Sequence, residues 1–246
     1  MQHRSKKIKK SFFIILVVLI VLSGGSAIYL SNYYHSVDVE KYMNGSWEVS
    51  VEKFDKGWFF DGAGEEKALI FYPGAKVATE AYAPLMYQLA ENGVDCFLVD
   101  MPFHMAFFGM NRAEEIMQEY NYEAWYLGGH SLGGAMAANF AADYVEDHTD
   151  GIRGLLLLAA YPTKDLSTSD MSVVTVYGSE DGVLNMDKIV AGRELMPQDY
   201  KEVCIEGGNH AQFGSYGAQK GDGTAAIPAE EQWARTVEVF VGDESE

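Results

Sequence analysis

The sequence predicts an α/β protein, a mostly parallel sheet wrapped by helices, on three observations. Residues 68–72 and 155–160 are continuous apolar runs and 173–177 is one broken only by Thr175, the pattern of strands buried on both faces. They alternate with helical stretches such as 82–92 and 229–241. Residues 124–135 join a short aromatic strand to an Ala-rich helix through Gly129-His130-Ser131-Leu132-Gly133, a Gly-x-Ser-x-Gly turn. As a bare pentapeptide such a pattern recurs by chance; strand before and helix after are the context it requires.

The chain opens on Arg4, Lys6, Lys7, Lys9 and Lys10 with no acid among residues 1–10, and residues 12–30 carry no charge. An uncharged apolar run of about 20 residues is long enough to cross a bilayer. The basic flank is expected to stay in the cytoplasm, which puts everything after Tyr33 outside. Gly25-Ser26-Ala27 is also a small-x-small cleavage signature, so a signal peptide cut near Ala27 competes with an uncleaved anchor. Apolar sequence resumes at Ile28 and Tyr33-Tyr34 suits an interface, which favours the anchor. No cysteine lies here to carry a lipid. Residues 1–33 are thus the basic flank and anchor, 34–45 a linker, and 46–246 one domain with room for a full core.

Within that domain 47–52 alternates and reads as an exposed strand, and 56–62 as a turn and second strand. Strand 68–72 follows, then helix 82–92 stopped by Gly93, strand 96–99 and helix 112–120. After the Gly-x-Ser-x-Gly turn come helix 134–145, strands 155–160 and 173–177, helix 185–195, strand 202–205 and a closing helix 229–241. In such sheets reactive groups lie past the carboxyl ends of strands.

The net charge is -18, and residues 1–10 contribute +5, so the rest carries -18 - 5 = -23. A body this acidic repels phosphate backbones, which excludes nucleic acid as a partner. Cys96 and Cys204 are too few for a disulfide framework, and both are expected as buried free thiols in apolar runs.

A serine hydroxyl needs a base within hydrogen-bond reach, and the base needs an orienting acid. After Ser131 the run 173–177 opens into Gly178-Ser179-Glu180-Asp181-Gly182, and 202–205 into Glu206-Gly207-Gly208-Asn209-His210. Asp181 and His210 therefore both fall just past strand ends, in the order serine, acid, histidine. His210 is the expected base, with His104 its alternative; Asp181 is the expected acid, with Glu180 and Asp187 as competitors and an ordinary Asp-Gly turn as the bland reading. An oxyanion needs backbone donors, expected from the N–H groups of Leu132 and Ala75, with Gly74 allowing close approach; Lys76 is expected in solvent. Phe103, His104, Met105 and Phe213 are the candidates for lining a substrate pocket, although the apolar run 103–110 reads equally well as core. The Gly-rich stretch 217–224 follows no strand and opens no helix, so it reads as a flexible loop rather than a phosphate cradle.

These stretches, with Ile70-Phe71-Tyr72-Pro73-Gly74-Ala75, Asp100-Met101-Pro102-Phe103 and Gly207-Gly208-Asn209-His210-Ala211-Gln212-Phe213-Gly214, resemble the α/β-hydrolase superfamily. More narrowly the chain is similar to a family of small, capless, membrane-anchored bacterial hydrolases of the alpha/beta hydrolase fold-5 type, over residues 45–241. The resemblance implies an eight-stranded α/β-hydrolase sheet in the order 1-2-4-3-5-6-7-8 and the triad Ser131, Asp181, His210, with no metal or cofactor. His104 stands where the family has an amide residue. The connection 161–171 leaves no room for a cap, so the site is expected to be open and to prefer a small acyl substrate. In this strand order Cys96 and Cys204 lie five strands apart, about 24 Å, beyond the ~7 Å that a disulfide spans. The expected activity is hydrolysis of an ester or related acyl bond outside the cytoplasmic membrane. An acyltransferase or peptidase would use the same acyl-enzyme, and a non-catalytic binding module on this scaffold would fail to react with a fluorophosphonate.

Overall fold

Eight strands form one sheet in the order β1-β2-β4-β3-β5-β6-β7-β8. They are β1 Ser50–Phe54, β2 Gly57–Asp61, β3 Lys67–Tyr72, β4 Asp95–Val99, β5 Ala124–His130, β6 Ile152–Leu158, β7 Ser172–Gly178 and β8 Tyr200–Ile205. β2 runs antiparallel to both β1 and β4, and every other pair is parallel. The computed structural model describes Gly25 and residues 31–242 except 65, 149 and 150. The expected anchor, 12–30, lies outside the described residues but for Gly25. Among the described residues no helix is long and apolar enough to cross a membrane.

The apolar runs become central strands because helices cover both faces. Leu69 and Phe71 of β3 point into one core, completed by helices α1 (Ala83–Glu91) and α5 (Ala229–Gly242) through Leu85, Leu89, Trp233 and Val237. Ala68, Ile70 and Tyr72 point into the other, completed by α2 (Arg112–Glu119) and α3 (Leu132–Asp147) through Ile116, Ala137, Ala138 and Ala141. Period-two alternation thus serves two cores at once, with each large buried side chain contributing about 1.5–3 kcal/mol. The alanines on α3 let that helix lie close against the sheet. A fourth helix, α4 (Met186–Gly192), is shorter than its pattern because Asn185 caps it, accepting from the Lys188 N–H at 3.2 Å, and a 3₁₀ turn at Arg193–Leu195 ends it. No helix interrupts 159–171, so the molecule is capless there, as expected.

Three expectations need correction. The first strand begins at Ser50 rather than Trp47, because Ser46 closes a turn with Val49: its N–H donates to the Val49 carbonyl at 2.8 Å and its hydroxyl accepts from the Val49 N–H at 3.2 Å. Trp47 is left 90% exposed on that turn. Cys96 is buried, but Cys204 is exposed, because β8 is the edge of the sheet and is covered incompletely. Both thiols are free, as expected, on strands five places apart. Residues 34–45 do not hang as a linker: Tyr34 bridges Val77 in parallel, the Val37 N–H donates to the Ser215 carbonyl at 2.8 Å, and Val39 is buried.

Candidate active site

β5 carries the chain directly into Ser131, which has φ 54° and ψ -121°, a conformation an L-residue adopts only when its surroundings enforce it. The enforcement is visible on both sides. The Ser131 N–H donates to the Leu158 carbonyl of neighbouring β6 at 2.8 Å, and its carbonyl accepts from the Ala135 N–H in the first turn of α3 at 3.1 Å. Gly133 is needed for close approach: a Cβ there would lie 2.1 Å from the Tyr72 carbonyl oxygen and 2.4 Å from that of Pro73. The start of α3 therefore presses on the chain that leaves β3 at Tyr72 and Pro73. Neither the Leu132 nor the Ala75 N–H donates to another backbone carbonyl among the described residues.

Asp181 follows the carboxyl end of β7, and His210 follows that of β8. One carboxylate oxygen of Asp181 accepts the N–H groups of Val183 and Leu184 at 2.8 and 2.7 Å. The other lies 2.8 Å from His210 Nδ1, and both side chains are only 2% exposed. Glu180 instead meets the Ser179 hydroxyl in solvent, and Asp187 is exposed in the first turn of α4. The structure thus brings His210 to Asp181 and to neither competitor. Ser131 and His210 share no hydrogen bond among the described residues; they are related through His130, whose ring centroid lies 4.4 Å from that of His210.

His130, Tyr82 and Asp222 are parts of this site that the sequence reading did not assign. The Gly74 N–H donates to the Tyr82 hydroxyl oxygen at 3.0 Å, and that hydroxyl lies 2.7 Å from His130 Nδ1. Which of these two donates to the other depends on the tautomer of His130. Nε2 is buried without a hydrogen-bond partner. Burial and then the neighbouring His210 hold the His130 pKa well below its ordinary 6.5, although the His210 carbonyl facing it pulls the other way. Gly74 is required here as well, because a Cβ would stand 2.8 Å from both His130 Nδ1 and the Tyr82 hydroxyl.

Asp222 belongs to the stretch expected as a flexible loop, and the structure corrects that reading. One of its oxygens accepts the Gly182 and His210 N–H groups at 3.0 and 3.3 Å, and the other accepts the Ala211 N–H at 2.8 Å. It staples the acid loop to the histidine loop. The signal available in sequence was an acid between two glycines, Gly221-Asp222-Gly223, too common to single out.

The pocket candidates separate. Phe213 is fully buried and packs on His130 at 5.7 Å between ring centroids, so it backs the site instead of lining an opening. His104 is half-buried, its carbonyl accepts the Lys76 N–H at 2.7 Å, and burial lowers its pKa. Phe103 is 58% exposed, and Met105 is partly buried beside it. The run 103–110 is thus neither a core segment nor an enclosed pocket: Ala106 is buried while Phe103, Phe107 and Phe108 face solvent.

A parallel sheet with antiparallel β2, a serine in a strained strand-to-helix turn and a buried Asp–His pair past the ends of β7 and β8 define the α/β-hydrolase fold. The model of the alpha/beta hydrolase family matches residues 68–234, more than half of the chain, and the chain belongs to that family. No curated protein matches it. Among solved structures it resembles carboxyl esterase 2 of the mycorrhizal fungus Tuber melanosporum, at 12% identity and TM-score 0.60 over 86% of this chain and 89% of that one. A thermostable esterase from Pseudomonas putida matches at 17% identity and TM-score 0.56, over 90% and 88% of the two chains. The monoacylglycerol lipase of Paleococcus ferrophilus matches at 15% and 0.56, over 79% and 99%. These likenesses are likenesses of fold.

Proposed function

We propose that the chain is a serine hydrolase that cleaves an ester or related acyl bond through an acyl-enzyme, held at the outer face of the cytoplasmic membrane by residues 12–30. The observation that carries this reading is the buried Asp181–His210 pair, 2.8 Å apart, packed against His130, which directly precedes a serine held at φ 54°. In this reading Ser131 Oγ attacks the acyl carbon while His210 Nε2 takes its proton, and Asp181 holds Nδ1–H and stabilises the imidazolium. The oxyanion receives the Leu132 and Ala75 N–H groups, the first carrying the partial positive charge of the α3 N-terminus. Gly74 spends its own N–H on Tyr82 and so serves by shape. His210 returns the proton to the leaving alcohol, and water then repeats the sequence to free the acid. The esterase and lipase names of the structural relatives agree with the same chemistry.

The test is turnover of a small activated ester. Ser131→Ala is expected to lower kcat by on the order of 10⁴ or more with the melting curve unchanged. Undiminished turnover in that variant would remove Ser131 from the chemistry.

A further inference from the structure

Exposed large apolar side chains are not spread evenly over the described body. Scattered single ones are ordinary, but a cluster marks a surface that something covers. Val37, Phe103, Phe107, Phe108, Val183 and Met186 are all exposed, and all lie at the carboxyl end of the sheet around the candidate site. Val37 belongs there because it is bonded to Ser215, just past His210. Of the other two, Trp47 stands at the opposite end, and Val190 is exposed one turn along α4 from Met186.

The three phenylalanines form the centre of this rim. The Phe108 ring meets those of Phe103 and Phe107 edge to face, at 5.7 and 5.5 Å, yet the three remain 58%, 67% and 57% exposed. They are held out rather than left loose. Tyr72 donates its hydroxyl to the Met110 carbonyl at 2.6 Å and accepts the Ala113 N–H at 3.0 Å, and the Arg112 guanidinium donates to the Asp100 carbonyl. Within the loop, Phe103 and His104 both have positive φ, 57° and 54°, so the backbone is strained to keep these rings in place.

The chain arrives on the same rim. The Tyr34 N–H donates to the Lys76 carbonyl at 2.7 Å, and the Lys76 N–H donates to the His104 carbonyl at 2.7 Å. The arrival point, the loop bearing Ala75 and the aromatic loop are therefore tied together. Only Ser31, Asn32 and Tyr33 separate Tyr34 from the uncharged stretch 12–30, and three residues reach at most ~11 Å.

We propose that this rim seats on a lipid bilayer, with Phe103, Phe107 and Phe108 entering the headgroup region, so that the site takes esters displayed at the bilayer surface. The chemistry rests on the serine-hydrolase reading; the docking rests on the rim alone. Because the chain after residue 10 carries -23, the docking works by burial of rings and not by attraction to anionic lipid.

The full chain, with Cys204→Ser, carries an environment-sensitive fluorophore at Phe107→Cys or, as control at the amino end of β5, at Glu123→Cys, in phosphatidylcholine vesicles with spin-labelled lipid. The label at 107 is expected to shift to the blue and be quenched, and the label at 123 to do neither. Equal water exposure at both positions would overturn the proposal. So would a blue shift at 107 that rises with protein concentration and needs no lipid, because a second copy would then cover the rim. In parallel, Phe107→Ser/Phe108→Ser is assayed on soluble 4-nitrophenyl butyrate and on a chromogenic butyrate ester borne by a vesicle lipid. The soluble ester is expected to turn over within about twofold of wild type and the vesicle-borne ester roughly tenfold or more below it. Equal losses on both, or none on either, would overturn it. A wild-type chain inactive on both esters would sink the hydrolase reading while the fluorescence still decides the docking.

Discussion

The carboxylate that meets His210 is chosen by geometry at a single residue. Glu180 and Asp181 are adjacent in sequence and chemically alike, but the Val183 and Leu184 N–H groups fix the Asp181 carboxylate while Glu180 remains in solvent. Asp181→Asn is therefore expected to lower kcat about 10³–10⁴-fold, because the amide favours the wrong tautomer of His210. Glu180→Gln and Asp187→Asn are expected to stay within about threefold of wild type. Steady-state kinetics on the three variants checks the ranking, and a reversed order would move the acid. His130 makes a different prediction. It is held neutral when folded, whereas the unfolded chain binds a proton there near the ordinary 6.5. Below that pH the unfolded state holds the extra proton, so stability falls as pH drops, by at most about 1.4 kcal/mol per pH unit for one group. Denaturant unfolding between pH 7 and 5 should show a flatter decline for His130→Gln than for wild type; parallel curves would mean that the ring charges freely in the fold. The sequence placed His130 in the Gly-x-Ser-x-Gly turn but not its partner, because nothing local links Tyr82 to a residue 48 positions away.

At the scale of elements, the strands were legible wherever burial on both faces left an apolar run, unbroken in β3 and β6 and interrupted only by Thr175 in β7. Legibility failed where pattern and pairing part company. Trp47 alternates correctly with its neighbours but sits on a turn, and Cys204 lies in an apolar-looking strand whose edge position exposes it. It failed again at Asp222, whose partners at 182, 210 and 211 come from two other loops. That staple carries its own prediction. Asp222→Asn replaces one accepting oxygen by a donor that faces backbone N–H groups, and a buried donor left opposite a donor costs about 1–3 kcal/mol. The variant is expected to lose stability by that amount and kcat by about tenfold or more, through displacement of His210. A variant that loses stability but keeps full kcat would make the 217–224 loop a structural tie only.

For the whole molecule, strand order is what brings three loops to one rim. β5, β7 and β8 deliver Ser131, Asp181 and His210 to the same edge because all three run parallel. The same order keeps Cys96 and Cys204 on strands five places apart, so unreduced protein alkylated after denaturation should carry two added labels. A Cys96–Cys204 bridge would contradict the sheet. The sequence announced this architecture through the alternation of strands and helices and through the Gly-x-Ser-x-Gly turn. It did not announce the exposed aromatic rim, since the run 103–110 has no periodicity and its rings are placed by tight turns and by Tyr72.

A fluorophosphonate reaction with the full chain, followed by peptide mapping of the adduct, tests Ser131 as the nucleophile. One phosphonylated residue, Ser131, is expected, with labelling abolished in Ser131→Ala and slowed about 10³-fold or more in Asp181→Asn. An unlabelled wild-type protein, or an adduct on any other residue, would contradict it.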